Sequence, residues 1–177
     1  MSNREADGFP DVQCRISDAQ QTTAADPGNW VYLAVHSDAS GSCRSSCCYS
    51  AEQFKYISVL YPSANAAASK LAELFCKHVV TTFAAKTGYK QQSDASCPQP
   101  KPVFVNGQPW YTSMEVHPNT MGSLAPILVE LGFHDSIADL TWWNDHRQGA
   151  ADAFVAMFQE YIGGALQRAT CLDALCT

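Results

Sequence analysis

Apolar residues along this chain fall into two kinds of pattern, short continuous runs and longer stripes at helical spacing. Trp30-Val31-Tyr32-Leu33-Ala34-Val35, Tyr56-Ile57-Ser58-Val59-Leu60-Tyr61 and Ala125-Pro126-Ile127-Leu128-Val129-Glu130-Leu131 are runs of strand length. Their richness in β-branched residues, and the Pro or Gly near their ends, predicts strands buried on both faces. Leu71, Leu74, Phe75, His78, Val79 and Phe83 recur every three or four residues, the stripe of an amphipathic helix that closes at Gly88. Ser63 and Asn65 stand where an N-cap is needed. A last helical stripe, Ala150, Phe154, Met157, Phe158 and Tyr161, is expected to stop at Gly163-Gly164. Val12-Gln13-Cys14-Arg15-Ile16 alternates, which predicts a short half-buried strand, and residues 17–29 read as a loop ending in the turn Asp26-Pro27-Gly28-Asn29. Val103-Phe104-Val105 reads as a very short strand before a turn at Asn106-Gly107, and residues 111–116 alternate as another strand. Strands separated by helical stretches make the fold class α/β, with a sheet flanked by helices.

Length allows one sizeable domain. The expected division is an unstructured or truncated start over residues 1–11, a catalytic domain over 12–165 that is N-terminally incomplete, and a short tail over 166–177. A net charge of −6 with scattered Lys and Arg gives no basic stripe for nucleic acid. No run approaches the roughly 20 apolar residues that cross a bilayer, and the start has no apolar core of a secretory signal. Neither a nucleic-acid partner nor a membrane span is therefore expected. The eight cysteines suit either disulfides or buried thiols. Cys43, Cys47 and Cys48 cluster without the spacing of a zinc knuckle; pairing of that cluster with Cys97 or another loop cysteine is one expectation, and Cys76 reads as core.

Candidate chemistry gathers on two strands. Glu130 is a carboxylate inside an apolar run, costly to bury without a cation, donor or metal. The bland alternative is a charge near the strand end that pairs with Arg or Lys. His36 follows the run 30–35 at the carboxyl end of its strand, where ligands collect in open α/β sheets; it is equally well read as a histidine satisfied by backbone. His78 belongs to the helix stripe and reads as a satisfied boundary residue. Glu115 and His117 fall at a strand end, where they could approach the active face, but residues in that position are more often solvent-exposed. Together His36 and Glu130 fit two chemistries, a zinc ligand with a glutamate base or a metal-free acid–base pair.

Val31-Tyr32-Leu33-Ala34-Val35-His36-Ser37-Asp38-Ala39 resembles the strand ending in Ser-Ile-His-x-Asn-Ala in zinc-dependent N-acetylmuramoyl-L-alanine amidases of the cell-wall hydrolase type (amidase type 3). Leu128-Val129-Glu130-Leu131-Gly132-Phe133-His134-Asp135 is similar to that family's Leu-Val-Glu-x-Gly-Phe stretch, with the His-Asp ending of phage-type members. Ser69-Lys70-Leu71-Ala72-Glu73 with Thr87-Gly88, and Asn119-Thr120-Met121 with Ala125-Pro126, resemble the family's central helix and its approach to the glutamate strand, in the same order. The resemblance covers residues 12–162.

It implies a mixed, mostly parallel β-sheet of the phosphorylase/hydrolase-like type, one Zn²⁺ with His36 as a ligand, and Glu130 as the catalytic glutamate. The implied reaction is hydrolysis of the amide between the lactyl group of N-acetylmuramic acid and L-alanine of the stem peptide. Peptidoglycan would be the partner of a monomer that is secreted, cell-wall associated or released by phage, as an autolysin or endolysin. The family's opening strand with Asp-Pro-Gly-His-Gly, and the helix that follows with a glutamate ligand, have no counterpart here; Asp26-Pro27-Gly28 precedes Asn29 and lies elsewhere, and Glu5 is a weak stand-in. A non-catalytic relative that binds muropeptide or a partner is the alternative, and a structural α/β domain with a coincidental His36 and Glu130 is the third.

Overall fold

The computed structural model describes residues 4–26, 29–39, 56–62, 64–89, 97, 104–105, 108–109, 115–116, 121 and 124–166. In chain order the elements are helix α1 (Arg4–Thr23), strands β1 (Val31–Asp38) and β2 (Ile57–Leu60), and helix α2 (Ala66–Phe75), continued by a π-helical stretch (Cys76–Ala84). Strands β3 (Phe104–Val105), β4 (Gln108–Pro109) and β5 (Ala125–Phe133) follow, then helices α3 (Ile137–Asp145) and α4 (Arg147–Leu166). The chain divides into two compact units, residues 1–37, 58–72 and 98–131, and residues 38–57, 73–97 and 132–177.

The sheet is small and mixed, with strand order β1-β5-β2. The Ala125 N–H donates to the Trp30 carbonyl, so β5 and β1 start side by side and run parallel. The Gly132 N–H donates to the Tyr56 carbonyl, which brings the end of β5 to the start of β2 and makes that pair antiparallel. The centre strand is the most apolar: Ile127, Leu128 and Val129 are fully buried, as a strand with neighbours on both sides must be. A separate antiparallel pair joins β3 and β4, Phe104 opposite Pro109 and Val105 opposite Gln108.

In the first unit α1 replaces the strand expected over residues 12–16 and most of the loop expected after it, and it begins at Arg4, inside the stretch expected to be unstructured. Its stripe explains why. Ile16 and Thr23 are buried and Ala19 partly so, a three- and four-residue rhythm that a five-residue window of alternation hides. Ile16 packs with Met121 and Leu124, and Ala19 and Tyr32 rest against them. Beside this lies a second cluster of Ala34, Val116 and Leu128, with Tyr32 and Leu60 against it. Asn65 caps α2 as expected, its side-chain oxygen accepting from the Ala68 N–H at 3.0 Å, while its amide donates to the Leu124 carbonyl at 2.8 Å.

In the second unit the π-helical stretch packs along α4, with Phe75 against Phe154 at 5.7 Å between ring centres. Lys77 and His78 both reach Glu160, at 2.6 and 2.7 Å, so His78 is satisfied by a carboxylate at the helix boundary. The helix closes through residues 85–88, where Gly88 takes φ +91°, and Tyr89 enters an aromatic cluster. Its ring lies 4.4 Å from Trp142 and 5.5 Å from Trp143, and Phe83 lies 5.6 Å from Trp142. Ser136 caps α3 by accepting from the Asp139 N–H at 3.1 Å. Two expected end points move: β5 continues past Gly132 to Phe133, and α4 continues through Gly163 to Leu166. Cys76, expected as a core thiol, is buried but bonded to Cys97. Cys14 is an exposed free thiol; Cys43, Cys47, Cys48, Cys171 and Cys176 lie outside the described residues.

Candidate functional site

Strand β1 delivers two polar side chains to one place. Tyr32 and His36 are four residues apart, so they project from the same face of the strand. Both reach Glu115: the Tyr32 hydroxyl donates to Oε1 at 2.6 Å and His36 Nε2 lies 2.8 Å from Oε2. Helix α1 supplies a third partner, Arg15, whose Nε stands 3.4 Å from Oε1. Glu115, expected as an exposed residue at a strand end, instead lies in a turn with its side chain 1% exposed. The burial has a physical cause, because a carboxylate goes inside a protein when donors meet both of its oxygens. His117, placed beside it by the sequence, lies outside the described residues.

These groups line a groove of about 560 Å³ whose wall includes Arg15, Asp18, Tyr32, Ala34, His36 and Glu115. Its polarity is graded. Glu115 is sealed at 1% exposure, His36 is 23% exposed and Arg15 is 51% exposed, so the carboxylate forms the base and the imidazole and guanidinium lie nearer the solvent.

The electrostatics follow from that arrangement. The hydrogen bond to Glu115 raises the pKa of His36 above its ordinary value of 6.5, against the opposing effect of burial, and the charges of Glu115 and Glu130 add to the rise. Burial alone would push the Glu115 carboxyl up; the hydrogen bonds from His36 and Tyr32 and the charges of His36 and Arg15 bring it below its usual range. Burial, followed by the neighbouring carboxylate, drives the Tyr32 phenol upward, so it stays a donor.

Glu130 sits on β5, the strand next to β1, and is partly buried at the end of the Ile127–Val129 run. Its charge is felt at His36. The structure thus brings His36 and Glu130 to adjacent strands, and adds Glu115, Tyr32 and Arg15. Among the described residues no three His, Cys, Asp or Glu side chains converge to hold a metal ion. Among the described residues His36 is the single imidazole at the groove, and its Nε2 already faces Glu115, so these residues by themselves do not complete a zinc centre of three protein ligands.

Sequence reasoning missed Arg15 and Tyr32. Tyr32 carries a usable signal, the same strand face as His36 at a spacing of four, whereas Arg15 becomes visible only once residues 4–23 are known to be helical. No helix among the described residues is long and apolar enough to cross a membrane. Comparison with family models, curated proteins and solved structures returns no match for this chain.

Proposed function

We propose that this chain is an amidase domain of the zinc-dependent cell-wall hydrolase type, acting on the amide between N-acetylmuramic acid and L-alanine of the peptidoglycan stem peptide. The observation that carries the reading is the pairing of β1 with β5, which sets His36 and Glu130, the two residues singled out by their motifs, on neighbouring strands, close enough for the Glu130 charge to act on the imidazole. On this reading His36 is a ligand of Zn²⁺. Glu130 takes a proton from the attacking water and delivers it to the departing α-amine of L-alanine, leaving the lactyl carboxylate. The protein works as a monomer at the cell wall, whether secreted or released by phage, a setting in which the Cys76–Cys97 disulfide persists.

A second reading has its own support. Glu115 occupies His36 Nε2, and no group of three ligands converges among the described residues, as a relative that binds muropeptide without cleaving it would have. Zinc content separates the two. The amidase reading expects about one Zn²⁺ per chain in the wild type and in Glu130→Ala, and loss of metal in His36→Ala. Metal-free protein that still binds soluble muropeptide would establish the second reading instead.

A further inference from the structure

We infer that Glu115 is the positioning residue of this groove: it holds His36 by Nε2–H and turns Nδ1 into the nitrogen left to meet a ligand. The inference rests on the proposed role of His36 as a ligand-binding residue, and names how that residue is oriented.

Three observations carry it. Glu115 is almost fully enclosed, so its carboxylate cannot be satisfied by water and depends on its protein donors. Tyr32 and Arg15 both address Oε1, which among the described residues leaves Oε2 to His36 and sets the direction of the imidazole. Among the described residues Nδ1 has no hydrogen-bond partner, while the ring is 23% exposed along the groove wall. A carboxylate that accepts from one ring nitrogen fixes the tautomer, fixes the ring plane and raises the basicity of the other nitrogen. Tyr32 Oη serves the same end, since it braces the carboxylate from the strand that bears the histidine.

The test is nitrogen-15 NMR of the imidazole in the full chain, without substrate. The expected wild-type spectrum shows a His36 Nε2–H proton far downfield and slow to exchange, with Nδ1 unprotonated in alkaline buffer. Glu115→Gln keeps the shape and removes the charge; its Nε2–H proton should move upfield and exchange faster. Tyr32→Phe removes one brace and should shift the same signal in the same direction by less, which keeps the test decisive should Glu115→Gln fail to fold. Added Zn²⁺ should move the Nδ1 resonance and leave the Nε2 proton in place. A protected Nδ1–H in the wild type, an unchanged Nε2–H signal in Glu115→Gln, or loss of the Nε2 proton on adding Zn²⁺ would each overturn the assignment. An indifferent response to Zn²⁺ with the Nε2–H signature intact counts against the zinc amidase reading alone and leaves Glu115 as the positioning residue.

Discussion

His36 Nε2 and Glu115 Oε2 stand 2.8 Å apart, an imidazole and a buried carboxylate that stabilise each other's charged form. Their shifts have opposite signs, so the pair leaves two edges in the stability profile. The Glu115 contribution is fully present above the ordinary carboxyl value of 4.5 and is lost as pH falls through its lowered folded value. The His36 contribution is fully present below 6.5 and is lost as pH rises through its raised folded value. Metal-free protein should therefore be most stable between those two values. Urea midpoints measured across the pH range should show this plateau in the wild type, and Glu115→Gln should flatten both edges. The same substitution should cost about 1–3 kcal/mol on the plateau, because it weakens charge-assisted bonds at a buried site. An identical profile for the variant would show that the pair contributes nothing.

Gly132 has φ +74°, where side chains are strained, and a Cβ there would come within 2.6 Å of Tyr89 Oη and 3.0 Å of Trp143 Nε1. Tyr89 is buried and Trp143 partly so, both packed in one aromatic cluster. Gly132→Ala should destabilise by at least about 1–2 kcal/mol from backbone strain alone, with the contact adding to it. Chemical denaturation followed by tryptophan fluorescence reads this directly, since Trp143 lies at the contact.

The Cys76–Cys97 bond closes a sequence separation of 21 residues that contains the π-helical stretch and Tyr89. Cross-linking a loop of this size limits the unfolded chain by about 3 kcal/mol. Cys97→Ser should lower stability by roughly that amount, and peptide mapping without reductant should recover the two cysteines in one linked fragment. A variant as stable as the wild type would mean the bond is not formed in solution.

Much of the fold can be read from the chain because burial on both faces leaves a local mark. The runs that become β1, β2 and β5 are continuous and apolar, and the stripe from Leu71 to Phe83 marks a helix, although not its change from α to π at Cys76. Helix α1 was hidden because residues 12–16 satisfy alternation, while the deciding positions, Ala19 and Thr23, fall in a stretch rich in Thr, Gln and Asp. Part of the candidate site was legible for the same reason that β1 and β5 were, since His36 and Glu130 ride on those strands. Glu115 was not. What buries it comes from Tyr32 and His36, 83 and 79 residues away in sequence, and a turn residue whose donors are that remote looks like any exposed glutamate. The disulfide partner of Cys76 is concealed likewise, because the spacing of eight cysteines does not determine their connectivity.

In the proposed amidase reaction Glu130 moves the proton during hydrolysis of the lactyl–alanine amide. Purified wild-type chain and Glu130→Ala, each supplied with Zn²⁺, should be incubated with peptidoglycan and the appearance of free N-terminal L-alanine measured, with circular dichroism confirming that the variant is folded. The expected result is release by the wild type and loss of at least about 100-fold in rate for the variant, the scale of a general base removed. Equal release by both proteins, or release by neither, would contradict it.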